Sequence, residues 1–350
     1  NPNPYDSEPY LGLGLSLYYQ QRMAEAFDAL YKATWTAAQQ EIAFYYLAAI
    51  AATQGRLDEA LELVERALVR NSHNLKARGL RAILLRRLGR QAAATAYCRE
   101  TLAIDPFANI SALELNPEEG ARSMGGKPAR YIEAAIDYLQ AGCAEEAVRT
   151  LRAAKAEDPM LHYYEAYALA AAGLNPDEAL DAAAAADPYC CFPNRLEDIA
   201  VLRFALDRCP ENGYTAYYLG NLFYDRKRYA EAGALWEKAA GKLPQFATVR
   251  RNLALYEYNK AGHPQRALEM LEAAFRLNPG DARVLLELDQ LRKKLGFSPA
   301  ERFQLLDMHR ETVLRRDDLT TEFVALLNLL GDYEQALALI RGRRFHPWEG

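Results

Sequence analysis

The chain has 350 residues, of which 51% are apolar, and its 42 Lys and Arg against 47 Asp and Glu leave a net charge of −5. That is ample material for a packed core, and too little charge of either sign to make nucleic acid or an anionic membrane the default partner. No apolar run reaches the ~18 residues a membrane-spanning helix needs, and no signal-peptide pattern opens the chain.

Five cysteines (Cys98, Cys143, Cys190, Cys191, Cys209) without CxxC spacing read as reduced thiols and point to the cytoplasm. The first residue is Asn1, and the stretch 341–350 breaks off after a helical pattern, so both ends read as cuts in a longer chain.

Taken in chain order, alanines recur in similar surroundings at Ala26, Ala60, Ala94, Ala147, Ala179, Ala232, Ala267, Ala300 and Ala336, with steps of 34, 34, 53, 32, 53, 35, 33 and 36. Twelve residues before them stand Gly14, Ala48, Ala82, Ala135 and Gly220; seven after stand Ala33, Ala67, Ala154 and Ala239. Twelve after come Pro106, Pro159, Pro244 and Pro279. A period of 34 with these companions predicts stacked helical hairpins.

Early in the array, Arg78, Arg81, Arg86 and Arg87 read as a solvated helix face offset by Glu59, Glu62 and Glu65, in preference to a dock for an acidic partner. The first step of 53 falls at 107–128, where Asn-Pro, Glu-Glu-Gly and Gly-Gly mark turns and an excursion from the repeat. The second falls at 187–210, where a proline-bracketed loop, 188–193, leads into an unpaired helix over 194–207. No soft linker divides the chain, so 1–350 reads as one array, with a two-lobed form left open. The vicinal pair Cys190-Cys191 has no His or Cys at ligand spacing and reads as loop packing, while Cys98 takes a core place.

The clearest unit is AYYLGNLFYDRKRYAEAGALWEKAAGKLP, 216–244. It predicts a helix over 217–224, a polar turn at 225–228 and a second helix over 229–240. Gly220 and Ala232 permit a close crossing, Leu219, Phe223 and Trp236 fill the space around it, and Pro244 ends the second helix. A hairpin of this kind hides its apolar flanks only against neighbours.

This unit resembles the tetratricopeptide repeat, whose pattern is matched by Leu219, Gly220, Phe223, Ala232, Trp236, Ala239 and Pro244, with Ala216 in place of the usual first aromatic. The first unit matches through Tyr10, Leu13, Gly14, Leu17, Ala26, Leu30 and Ala33. The resemblance implies an all-α, right-handed α-α superhelix of about nine hairpins with two irregular insertions. It further implies a non-catalytic scaffold that binds a protein or peptide on the concave face lined by first helices. That face is expected to include Tyr214, Tyr217, Asn221, Tyr224, Arg251, Asn252 and Tyr258. Asparagine can hydrogen-bond a ligand's backbone while tyrosine supplies rigid contact area; the plainer reading is that these tyrosines pack between hairpins.

One subclass of the family grips C-terminal carboxylates with two Asn and several cations. Asn221 and Asn252 fit the Asn places, but Tyr217, Ala282 and Leu286 stand where the cations belong, so a carboxylate clamp is rejected. More narrowly, NPYDSEPYLGLGLSLYYQ, PYCCFPNRLEDIAVL and LIRGRRFHPWEG look like the repeat region of large bacterial proteins. Those proteins carry a β-sandwich of unknown function, similar to mutarotase-like folds, ahead of the repeats. That resemblance implies the alternative of an intrachain scaffold shaping a sugar-handling site.

No catalytic, cofactor or metal constellation is read. His73, His162, His263, His309 and His346 are scattered, the acidic pairs Glu118-Glu119 and Glu145-Glu146 sit at turns and helix starts, and no nucleophile elbow, Walker loop, HExxH or dinucleotide glycine pattern occurs. The last hairpin, within 320–350, turns at Gly331, and 343–350 leaves the repeat and reads as packing on a following hairpin, in preference to a loop that contacts a preceding domain.

Overall fold

The computed structural model describes residues 6–346, and among them all regular structure is helical: 22 α-helices, one 3-10 turn and one π turn. The chain separates into two compact units, Asn1–Pro210 and Glu211–Gly350. In the first, α1 (Glu8–Tyr19) pairs with α2 (Met23–Ala33), α3 (Gln40–Thr53) with α4 (Leu57–Arg70), and α5 (Leu75–Arg87) with α6 (Gln91–Ile104). The excursion at 107–128 is a miniature hairpin of two seven-residue helices, α7 (Asn109–Leu115) and α8 (Pro117–Ser123). Full-length pairing resumes with α9 (Pro128–Gln140) and α10 (Ala144–Arg152), then α11 (Pro159–Ala171) and α12 (Asp177–Ala185). Helix α13 (Glu197–Arg208) packs on α11.

In the second unit α14 (Gly213–Asp225) pairs with α15 (Tyr229–Lys242). Helix α16 (Ala247–Tyr256) runs on through a π turn, Glu257–Ala261, and pairs with α17 (Pro264–Leu277). Then come α18 (Ala282–Lys294), α19 (Pro299–Met308), the single turn α20 (Arg310–Val313), and the pair α21 (Asp317–Leu330) and α22 (Tyr333–Gly342).

Small residues set the spacing within hairpins. Eight of the nine marker alanines are buried. Ala300 is exposed: Ser298 forms a capping box with Glu301 and starts α19 there, which leaves Arg302, Leu305 and Leu306 to carry the burial. A Cβ added to Gly14 would lie 2.6 Å from Leu30 Cγ, and one added to Gly220 would lie 2.6 Å from Trp236 Cδ1. The close neighbour of Gly220 is therefore the indole ring, which bare backbone admits.

A second regularity is conformational. The residue five before the marker alanine is left-handed at Gln21, Gly55, Gly89, Gly142, Lys227, Gly262 and Gly331, with φ between 61° and 87°. The next N–H then reaches back to a carbonyl of the preceding helix, as from Arg56 to Ala51 (2.9 Å), Arg90 to Leu85 (2.8 Å) and Arg228 to Phe223 (2.8 Å). This closure satisfies an orphan carbonyl and turns the chain sharply into the second helix.

Polar side chains pin the irregular parts. Asn116 accepts from the Glu118 and Glu119 amides (3.1 and 3.2 Å) and so starts α8 one residue after α7 ends. Asp198 is buried; it accepts from the Tyr164 hydroxyl at 2.6 Å and from the amides of Asn194 and Arg195 at 2.8 and 2.9 Å. That carboxylate holds the proline-bracketed loop against α11, with Cys191 buried and Cys190 exposed beside it. In the second unit, Arg302 meets Asp289 in a buried two-pronged ion pair (2.9 and 2.6 Å) and also reaches Glu322 at 3.0 Å.

At the end of the second unit, Arg343 Nε donates to Asp317 at 2.5 Å and the His346 amide donates to the same carboxylate at 2.6 Å. Residues 343–346 thus fold back on the start of α21; the rest of that segment, with Trp348, lies outside the described residues.

Candidate peptide-binding face

The expected face is built by α14 and α16 with the π turn, all in the second unit. Its centre is a carboxamide pair. Trp236 Nε1 donates to Asn221 Oδ1 at 3.0 Å, and Asn252 Nδ2 donates to the same oxygen at 3.0 Å, tying α16 to α14. An indole N–H can only donate, so it dictates which end of Asn221 faces it. Asn252 must then offer its NH2 to that oxygen. The Asn221 amide hydrogens, the Asn252 carbonyl oxygen and the second Asn252 amide hydrogen are left over, and among the described residues none has a partner. Both residues are partly exposed. A free donor and a free acceptor on neighbouring first helices match the N–H and C=O that one residue of an extended chain presents on the same side.

Around this pair, Tyr224 lies against the Trp236 ring (centroids 5.2 Å) and meets Tyr229 edge-on at 5.0 Å. Arg251 is held by Glu287 of α18 through two hydrogen bonds of 2.7 and 2.5 Å. Tyr258 sits in the π turn with Lys294 over its ring at 5.1 Å, beside a small cleft that Gln290 also lines. The buried Glu257 fixes that turn: its carboxylate meets His263 Nδ1 at 2.8 Å and Arg266 Nε at 3.3 Å. Gly233 admits the Tyr256 ring, since a Cβ there would stand 2.3 Å from Cε1.

Tyr214 and Tyr217 both meet Phe246 edge-on, at 5.4 and 5.0 Å. Tyr217 is buried at 6% exposure and packs beneath the face, whereas Tyr214 and the other five residues keep part of their surface. Ala282 and Leu286 are buried apolar residues, so no cation stands at either place of the carboxylate clamp.

The family model described as tetratricopeptide repeat matches residues 37–74, 45–109 and 199–247, the last segment spanning the Asn221 hairpin. Within those segments the chain matches the tetratricopeptide repeat. Among solved structures, the repeat chain is similar to pilF of Pseudomonas aeruginosa (22% identity over 67% of this chain and 96% of that one, TM-score 0.39). It is also similar to a MamA segment from Desulfovibrio magneticus RS-1 (20% identity, 54% and 97% covered, TM-score 0.33) and to the P58(IPK) TPR domain (14%, 97% and 100%, TM-score 0.30). The repeat assignment rests on the family model.

The repeats of the first unit hold a polar cluster that the sequence reading missed. Tyr19 and Tyr46 share a hydroxyl hydrogen bond of 2.9 Å, Tyr19 reaches Glu197 at 3.3 Å, and Tyr45 donates to Gln140 at 2.7 Å. Lys76 pairs with Asp137 (2.8 Å) and Arg195 with Glu133 (3.2 Å). Burial raises the pKa of the Tyr45 and Tyr46 hydroxyls, keeping them neutral donors, and burial also raises that of Asp137 against the pull of Lys76. The signal was present: Tyr45-Tyr46 stands at the same offset from Ala60 as Tyr217-Tyr218 from Ala232.

The four early arginines are not a solvated repeat face. Arg78 is buried and bonded to Thr101 and Glu100, Arg86 pairs with Glu114 and Glu146, and Arg87 donates to the Ala52 and Ala141 carbonyls. Only Arg81 meets one of the expected glutamates, Glu65, at 3.1 Å. Partners on other helices and in the turn after α9, invisible in a linear reading, take the others. Among the described residues no group of His, Cys, Asp and Glu could hold a metal ion, and no helix is long and apolar enough to cross a membrane.

Proposed function

We propose that this chain is a non-catalytic scaffold that binds an extended protein segment across Tyr214, Asn221, Tyr224, Arg251, Asn252 and Tyr258, with Tyr217 supporting the face from below. One observation carries the reading. The Trp236 indole orients the carboxamide pair, and that leaves an N–H donor and a carbonyl acceptor without a partner on two partly exposed side chains. Helical repeats offer such a face along neighbouring first helices, and partly exposed tyrosines at its edges add contact area with few rotors to freeze. Free thiols, Cys98 and Cys143 buried among them, suit a reducing compartment such as the cytoplasm.

The test is a pull-down with the chain as bait, comparing wild type with Asn252→Ala and Arg251→Glu. Asn252→Ala removes the free acceptor together with one α14–α16 hydrogen bond and leaves the Trp236 bond to Asn221 in place, so the expected result is loss of bound partners with a destabilisation of no more than about 1.5 kcal/mol. Partners retained in full by both variants would refute this face.

A second reading is favoured by the first hairpin, where Leu13, Tyr31 and Trp35 are 51%, 53% and 65% exposed. These side chains suit an intrachain scaffold that packs on a β-sandwich of the carbohydrate-associated kind. If the parent reading frame encodes such a domain, Trp35→Ala with Tyr31→Ala should lower its action on sugars; a frame without a β-rich domain ends this reading.

A further inference from the structure

The miniature hairpin α7–α8 encloses a cavity of about 830 Å³ against α9, α10 and the end of α5, within the first unit and independent of the face above. That volume falls in the range of small-molecule sites. The deep end is electrostatically closed. Glu114, almost wholly buried, accepts from Arg86 Nε at 2.7 Å and from the Tyr138 hydroxyl at 3.0 Å, while Arg86 also meets Glu146 at 2.9 Å. The lining also includes the buried apolar residues Leu113, Tyr131 and Ala154.

The mouth is different. Arg122, Arg149 and Lys155 line it and are exposed, and among the described residues none has a carboxylate within ion-pairing distance. Arg122 Nε makes only a bond to the Glu118 main-chain oxygen (3.3 Å). Three cations against one carboxylate, Glu118, leave the mouth net positive in a chain whose overall charge is −5. Gly125 and Gly126, both left-handed, put bare backbone at the rim and keep it open.

We propose that this cavity binds a small anionic amphiphile, a carboxylate or phosphate ester whose head meets Arg122, Arg149 and Lys155 and whose apolar body lies against Leu113, Tyr131 and Ala154. The three cations lining one cavity supply charge-assisted hydrogen bonds to the head, and the satisfied Arg86–Glu114–Tyr138 network makes no demand on the ligand's tail.

The experiment is a methyl-NMR titration of the full chain with octanoate, octyl phosphate and octyltrimethylammonium, each below its micelle concentration. At least one of the two anions is expected to shift the methyls of Leu113, Ala121, Ala153 and Ala154 saturably, and the stronger of them names the head group. Octyltrimethylammonium is expected to give no saturable shift. The surface double variant Arg149→Glu, Lys155→Glu should weaken anion binding by at least about tenfold. Equal binding of the cation, unchanged binding by the double variant, or no saturable shift with either anion would overturn the proposal.

Discussion

The Trp236 indole can only donate, and from that fact the orientation of Asn221 and then of Asn252 follows. Similar single-residue logic governs the hairpin turns. Most use glycine at the left-handed position, but the second unit's first hairpin places Lys227 there, at φ 61°. A side chain in that region costs roughly 1–2 kcal/mol, partly offset by glycine's greater freedom when unfolded. Lys227→Gly should therefore stabilise the protein by about 1 kcal/mol, and Gly89→Ala should destabilise it by a similar amount. Urea titration of both variants checks the pair, and a loss of stability in Lys227→Gly would contradict the turn geometry. The thiols give a second prediction. Burial pushes Cys98 and Cys143 up to about 11, with the nearby carboxylates of Glu114 and Glu146 adding to it, whereas Cys190 is exposed. At pH 8 only about 0.1% of either buried thiol is thiolate. Brief alkylation followed by peptide mass spectrometry should find Cys190 modified first; equal labelling of Cys98 would show that α6 is not packed as described.

Elements show which glycines are structural. A Cβ on Gly120 would stand 2.7 Å from the Leu113 amide nitrogen and 2.8 Å from Ala112 and Leu113 backbone carbons, atoms that cannot swing aside. Gly120→Ala should cost about 2–3 kcal/mol by overpacking the α7–α8 hairpin. Gly12, in α1 with nothing within 4 Å of an added Cβ, should instead gain about 1 kcal/mol on replacement by Ala. Thermal melts of the two variants should move in opposite directions; parallel shifts would mean that α7 and α8 do not meet through Gly120. This contrast also marks where the sequence was legible. The hairpins were readable because a period near 34 repeats small residues at buried crossings, and the predicted turn at 225–228 fits α14 ending at Asp225 and α15 beginning at Tyr229. The insertion at 107–128 was readable only as turns, because seven-residue helices are too short to show a period and depend on Asn116 and Gly120 for their form. Ala300 misled for a related reason: the capping box at Ser298 shifts the start of α19, and composition cannot reveal that shift.

For each unit as a whole, first helices gather side chains that are far apart in sequence, and this is where function was least legible. All seven residues expected on the face were named from repeat position alone, yet the bond between Asn221 and Asn252, and the burial of Tyr217, depend on contacts across 31 residues or with Phe246. The arginines of α5 show the reverse, since charges that look free in sequence are consumed by α6, α7 and main-chain carbonyls. The most direct test of the central claim uses peptides selected by panning a random display library against the full chain, followed through the side-chain amide signals of Asn221. A bound peptide should move both Asn221 NH2 resonances, and Asn252→Ala should weaken its affinity at least about tenfold. Peptides that bind Asn252→Ala as tightly as wild type and leave those resonances unmoved would contradict the account.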